Sequence, residues 1–256
     1  MTVHTELRDP TLVVTIDRPD RRNAIDGATA AELFEIFGEV DHDAAIDVAV
    51  LTGAGGTFCS GADLHAIGEG RGNRVEEDMS LPGPLGCTRM MLSKPVIAAV
   101  EGHAVAGGLE LALWCDLRVA ARDATFGVYC RRWGVPLVDG GTVRLPRLIG
   151  HSRALDMILT GRGVLGDEAG QWGLANRVCE PGGALDEAVA LAAQLSAFPQ
   201  LCLRSDRASS YEQWGMALDD AMANEIRRGM VPIRSGETRE GAARFSGGAG
   251  RHGAAP

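Results

Sequence analysis

Two glycine-broken turns hold the residues with the clearest chemical promise. In residues 102–116, GHAVAGGLELALWCD, Gly107 and Gly108 run directly into an apolar stretch over residues 109–114 that reads as helix. The Gly107 amide then sits at a helix N-terminus. First-turn amides have no partner within a helix, and the macrodipole adds about half a positive charge there. Such a group suits an oxygen that becomes negative during a reaction, which makes it half of an oxyanion hole. Glu110 follows at the start of the same helix and carries a carboxylate into apolar surroundings. The plain structural reading of the stretch is a tight strand-to-helix turn with Glu110 as a favourable first-turn charge.

Residues 56–64, GTFCSGADL, form a second such turn, in which a hydrophobic strand over residues 48–52 leads to Ser60-Gly61-Ala62-Asp63 opening a short helix. Two helix-opening amides from distant turns converge on one carbonyl oxygen if the fold stacks their strands side by side. The FCSGADL segment, the KPVIAAVEGHAVAGGLELALWCDLRVA run and the later GGTVRLPRLIG resemble, in that order, the crotonase superfamily, also called the enoyl-CoA hydratase/isomerase family. The resemblance extends over roughly residues 10–245.

That resemblance implies that the amides of Ala62 and Gly107 polarise an acyl-CoA thioester carbonyl. It also implies that Glu110 is the first catalytic glutamate, and that coenzyme A arrives as part of the substrate, with no other cofactor. The loop RPDRRNAID would lie along the bound CoA, so that Arg21, Arg22 and Ala24 meet phosphate or pantetheine. Solvated arginines in a turn are the competing reading. Ser60, Asp63 and Leu64, which flank Ala62, would grip adenine and pantetheine, while Asp63 is equally able to cap the short helix or tie the loop down. A hydratase of the family adds water to a 2-enoyl-CoA through a thioester enolate, with two glutamates positioning the water and moving its proton.

The second glutamate is missing. Aligning FGVYCRRWGVPLVDGGT through Gly134 and Gly141-Thr142 places Cys130 at its position, and a buried thiol is a poor substitute for a carboxylate. Three accounts follow. In the first, Asp139 is the second carboxylate, although Asp-Gly-Gly-Thr is also a good N-cap sequence, typically worth about 1 kcal/mol. In the second, Cys130 is a nucleophile activated by Arg131 or Arg132, with no histidine nearby in sequence to serve as its base. In the third, the chain keeps the fold and acyl-CoA binding and performs other chemistry of the family, such as isomerisation, hydrolysis or decarboxylation, or none. Tyr129, Arg131, Arg132 and Trp133 either shape a polar or aromatic acyl pocket, or the arginines face solvent or a subunit contact while Trp133 fills the core.

These residues need a framework to hold them. Residues 12–17 alternate as a strand, and a helix from Asp26-Gly27 to about Val40 carries the apolar stripe Leu33, Phe34, Ile36 and Phe37. Residues 68–83 read as a polar, mobile loop, and residues 84–93 as a helix ended by Lys94-Pro95. A continuously apolar strand at 96–100 is buried on both faces. Further strands are read at 115–121, 124–127 and 175–179, and helices at 140–148, 152–159, 167–172 and 185–197.

Strand, turn and helix recur about every 45–50 residues. The resemblance makes this an α/β fold, a crotonase-like right-handed spiral of strand-strand-helix turns, although periodicity alone also allows a doubly wound sheet. The spiral core spans residues 1–197, and Pro199 marks a boundary. Residues 198–245 read as helical, with Leu201, Leu203, Tyr211, Trp214, Met216, Leu218 and Met222 as apolar positions, and the tail 246–256 as disordered. A helical extension of this kind suits docking onto a neighbouring subunit, and by the resemblance it builds a homotrimer, often paired into a hexamer.

Composition narrows the partners. The 256-residue chain has net charge −9, which argues against broad binding to nucleic acid or an anionic membrane. Lys94 is its only lysine, so a phosphate would be held by forked guanidinium groups. Six cysteines without a CxxC pair, and no secretory leader, favour a reduced cytoplasmic protein. Six scattered histidines give no metal-binding spacing.

Overall fold

The structure, a computed structural model, describes residues 1–248. Its backbone divides into two compact units, Met1–Ala192 and the residues from Ala193 onward.

The first unit is organised around a sheet. An exposed strand β1 (Val3–Arg8) pairs antiparallel with β2 (Thr11–Ile16), and helix α1 (Gly27–His42) follows, capped by the Asp26 side chain on the Thr29 amide. Strand β3 (Val48–Gly53) leads to the five-residue α2 (Leu64–Gly68), and β4 (Val96–Val100) to the short β5 (His103–Val105) and α3 (Gly107–Trp114). Strand β6 (Leu117–Ala121), β7 (Thr125–Gly127), α4 (Gly141–Ile149), α5 (His151–Thr160), β8 (Gly163–Leu165), α6 (Gly166–Trp172), β9 (Arg177–Cys179) and α7 (Ala184–Ser196) complete the series.

The main sheet has the order β1-β2-β3-β4-β6-β9, parallel except at β1, and β5-β7-β8 form a smaller second sheet. Every residue of β4 is buried, as its unbroken apolar sequence requires of a strand covered on both faces. Helix α3 is apolar nearly all round and buried from Gly108 to Trp114, so Glu110 is the one acid inside it. The hydrophobic core runs from Val3 and Val14 through Phe37, Leu51, Ala98 and Leu111 to Phe126, Leu145 and Ala175.

One expectation fails, and three strands were not foreseen. The helix over 84–93 is absent: only Cys87–Arg89 make a 3-10 turn. Gly83 and Gly86 exchange backbone hydrogen bonds, and Gly86, at φ +81°, lies so close to α1 that a β-carbon there would fall 2.0 Å from the Ala30 carbonyl oxygen. The segment is therefore pressed flat instead of coiling. Strands β1, β5 and β8 were not expected either; β1 is largely exposed and lacks alternation, and the others are only three residues long. The 68–83 loop is irregular, and Arg89 donates to the carbonyls of Glu76 and Asp78 while Asn73 donates to that of Pro84.

The second unit contains α8 (Gln200–Glu212), α9 (Leu218–Ser235) and α10 (Glu237–Ser246). Glu212 of α8 accepts hydrogen bonds from Asn224 and Arg228 of α9. Leu201, Trp214, Met216, Leu218 and Met222 are exposed. The disordered tail expected from residue 246 lies outside the described residues from 249 onward, and Ser246 itself ends α10.

Among the described residues no helix is long and apolar enough to cross a membrane, and no group of three His, Cys, Asp or Glu side chains could hold a metal ion.

Candidate active site

The two glycine-broken turns meet. Gly61, at φ +98°, lies so close to α3 that a β-carbon on it would sit 2.8 Å from the Gly107 nitrogen. A β-carbon on Gly107 would in turn sit 3.5 Å from the Ala62 nitrogen. Gly108 crosses Cys59 more tightly still, with 2.0 Å left between a β-carbon and the Cys59 carbonyl oxygen. Only glycine permits backbone to approach backbone in this way.

Direction follows from local pairing. The Gly61 carbonyl accepts from the Ile25 amide and the Asp63 amide donates to the Ile25 carbonyl, so the intervening Ala62 amide points to the opposite side. Among the described residues no backbone hydrogen bond uses the Ala62 or the Gly107 amide as donor. Gly107 opens α3, as expected from the sequence. Ala62 does not open a helix: α2 begins at Leu64, Asp63 is its cap, and Ala62 lies on an extended bridge to Ile25. Ala106, just before Gly107, holds φ +54° and ψ −126°, a conformation costly for any residue with a β-carbon.

Glu110 is 2% exposed, and its Oε1 accepts from the backbone amides of Asp139 at 2.9 Å and Gly141 at 2.8 Å. Burial pushes its carboxyl up to about 7, against the pull of the Gly141 and Asp139 amides and with the help of the Asp139 charge. It is therefore poised to take and return a proton near neutrality.

Asp139 is not the cap of α4. That position belongs to Gly140, at φ +94°, with no side-chain cap. Asp139 Oδ1 instead accepts from the Leu85 amide at 3.0 Å and from the Thr88 hydroxyl. Burial raises its pKa above the ordinary carboxylate value, and those two bonds oppose the rise. Arg144 closes the arrangement by donating to the carbonyls of Asp139 and Thr88, each at 2.8 Å. Leu85 and Thr88 carry no sequence signal beyond the bracketing Gly83 and Gly86, and Arg144 looks like any exposed helical arginine, which is why they escape sequence reading.

Cys130 is 7% exposed and lies near enough to Glu110 to feel its charge. Burial, then that charge, raise the thiol's pKa, so a thiolate nucleophile is disfavoured. Arg131 donates to the Ile158 carbonyl, and Arg132 donates to that of Gly161 while its guanidinium lies 3.9 Å from the centre of the Tyr129 ring. Trp133 does not fill the core; it is 73% exposed.

The expected CoA-side residues gather around Ser60. Its amide donates to the Arg22 carbonyl at 3.1 Å and its hydroxyl to that of Arg21 at 3.4 Å, while both arginine side chains are exposed. Ala24 is buried and its carbonyl accepts from Arg18. Arg18 also pairs with Asp63 at 2.9 Å and Asp26 at 3.0 Å, and Asp63 caps α2 through the His65 and Ala66 amides, so Asp63 is a tie of the loop. Leu64 is exposed. Asn23 binds the carbonyls of Ala54 and Thr57, fixing the loop to the end of β3.

Residues 8–247 match the family model described as enoyl-CoA hydratase/isomerase, and the chain belongs to that family. It is 36% identical over 248 residues to enoyl-CoA hydratase EchA19 of Mycobacterium tuberculosis, covering 94% of this chain and 92% of that protein. It is 34% identical over 227 residues to mevalonyl-coenzyme A hydratase sidH of Aspergillus fumigatus, covering 88% of this chain and 84% of that protein. A crystal structure of enoyl-CoA hydratase from Mycobacterium tuberculosis H37Rv superposes with a TM-score of 0.89 at 40% identity, covering 96% of this chain and 95% of that one. The crotonase fold expected from the sequence is thus the fold of the chain.

Proposed function

We propose that this protein adds water across the double bond of a 2-enoyl-CoA, with the Ala62 and Gly107 amides as oxyanion donors and Glu110 as the proton carrier. The observation that carries the reading is the close approach of the Ala62 and Gly107 turns, with Gly107 opening the helix whose first turn also carries the buried Glu110 carboxylate, poised near neutrality.

One carboxylate can serve the whole step. Ionised Glu110 takes a proton from water as its oxygen bonds the β-carbon, and the electron pair of the double bond moves toward the thioester. The carbonyl oxygen gains enolate charge, which the two amides meet; losing one such donor typically costs about 3 kcal/mol. Glu110 then returns the same proton to the α-carbon, and the enolate charge is discharged. Every atom added comes from water.

Coenzyme A enters as part of the substrate, and Arg21, Arg22, Ala24, Ser60 and Leu64 are the residues we assign to its side of the site. Leu85 beside Gly107 and Leu137 beside Gly141 give the reacting carbons apolar neighbours. An apolar acyl group fits such walls. Asp139, expected from the sequence as a second carboxylate, has Oδ1 committed to Leu85 and Thr88, so proton transfer is assigned to Glu110 alone. The exposed apolar side chains of α8 and α9 support a homotrimer or hexamer built through the second unit.

The test is consumption of crotonyl-CoA and longer 2-enoyl-CoAs, followed by loss of the enoyl-thioester absorbance, with mass spectrometry of the hydroxyacyl product. Binding across the panel without turnover would leave an acyl-CoA-binding protein instead.

A further inference from the structure

We propose that Asp139 is a positioning residue: together with Arg144 it clamps the 83–88 segment to the Glu110 carboxylate, so that the wall beside the Gly107 amide and the proton-carrying acid are held as one piece. The proposal rests on the reading of Glu110 as proton carrier, and it gives Asp139 a part other than proton transfer.

Three groups of one residue make three different connections. The Asp139 amide donates to Glu110 Oε1, its carboxylate accepts from the Leu85 amide and the Thr88 hydroxyl, and its carbonyl accepts from Arg144. Arg144 also donates to the Thr88 carbonyl, which ties the far end of the segment to α4. Leu85 is the side chain that meets Gly107: its Cδ1 would be 2.8 Å from a β-carbon placed there. The segment has no regular helix or sheet ladder of its own to fix it, so these bonds supply the order that a helix would otherwise give.

The clamp also acts through charge. Asp139 is faced by Glu110 from α3, by Cys87 and Thr88 from the clamped segment, by Arg89 just after it, and by Arg144 from α4; Glu110 is faced by Asp139 and by Cys130. A negative Asp139 disfavours ionisation of Glu110, while the amides of Asp139 and Gly141 favour it. Asp139 therefore adjusts the pH at which Glu110 can begin a turnover, without touching the substrate.

Asp139→Asn separates charge from shape, because the amide oxygen still accepts from Leu85 and Thr88. In apo protein carrying isotope-labelled glutamate, carboxyl NMR should show the Glu110 midpoint falling by about one pH unit. In turnover of 2-enoyl-CoAs the acid limb of kcat/KM should fall by the same interval, with plateau kcat within about tenfold of wild type and KM little changed. Thr88→Val is the companion variant: it weakens the clamp but keeps the carboxylate, so plateau kcat falls about three- to tenfold while the Glu110 midpoint falls no further than in Asp139→Asn.

A Glu110 midpoint unmoved by Asp139→Asn overturns the charge coupling, and a wild-type kcat in Thr88→Val overturns the clamp. A plateau kcat lost as completely in Asp139→Asn as in Glu110→Gln overturns the proposal by making Asp139 a proton carrier. If the NMR midpoint falls as described but the wild type hydrates no enoyl-CoA, the positioning role stands and the proposed function fails.

Discussion

Glu110 Oε1 accepts the Asp139 amide at 2.9 Å, which binds the first turn of α3 to the residue before the cap of α4. With the Gly141 amide at 2.8 Å on the same oxygen, the carboxylate is held by backbone and cannot swing. A carboxyl that is 2% exposed, yet bonded in its charged form, is set against itself: burial favours the proton and the amides favour its loss. That balance places Glu110 near neutrality.

The balance costs stability. The Glu110 carboxyl stands at about 7 in the fold against 4.5 when unperturbed, so the folded chain binds more protons than the unfolded one between those values. Its contribution is fully present below about pH 4.5 and is lost as pH rises to about 7, a change on the order of 3 kcal/mol. Glu110→Gln should therefore unfold at higher urea than wild type at pH 8 and show much less advantage at pH 5. Equal differences at both pH values would show that Glu110 is not perturbed by the fold.

Gly141 leaves no room for a side chain. A β-carbon there would lie 2.9 Å from Glu110 Oε1 and 3.1 Å from Leu137 Cδ1. Gly141→Ala should displace the carboxylate and lower kcat by about 10- to 100-fold with a small change in KM, since a shift of about 1 Å in a reacting group can have that effect. Steady-state kinetics on an enoyl-CoA decide it, and an unchanged kcat would mean that Glu110 is not held where its proton is used.

Ala106 stores strain at φ +54° immediately before the Gly107 donor. Glycine adopts that conformation freely, so Ala106→Gly should relieve about 1–3 kcal/mol of strain and give back about 0.5–1 kcal/mol to chain entropy. Chemical denaturation should show a net gain of about 1 kcal/mol; a loss would show that the β-carbon of Ala106 is needed in its packing against Gly61.

The proposed mechanism gives Cys130 no part in the proton path. Cys130→Ser should keep the hydration rate within about threefold, because neither side chain is ionised beside Glu110. A loss of more than about 100-fold in an enoyl-CoA assay would restore the nucleophile account of this thiol.

How much of this was legible depends on the kind of signal each feature leaves. The Gly107 turn and the burial of Glu110 could be read because paired glycines and an acid inside an apolar helix stand out in one short stretch. The strands β3 and β4 could be read because buried parallel strands are continuously apolar. The 84–93 segment misled because its helix-compatible residues are overruled by Gly86 pressing on Ala30, a tertiary contact no local pattern records. Asp139 could be read from Asp-Gly-Gly-Thr as a second carboxylate or as a cap, and the cap falls on Gly140 while Leu85 and Thr88, far off in the chain, take the Asp139 carboxylate. Trp133 could be read as a pocket wall or as a core residue, and its exposure shows how little a single aromatic says without its neighbours.

The most direct test of the account is the hydration rate of Glu110→Gln on a 2-enoyl-CoA that the wild type turns over, with circular dichroism confirming that the variant is folded. A drop in kcat of about 10²- to 10⁴-fold with KM nearly unchanged is the result expected when the only proton carrier is removed and the oxyanion donors remain. A folded Glu110→Gln that hydrates the same thioester at the wild-type rate would contradict it.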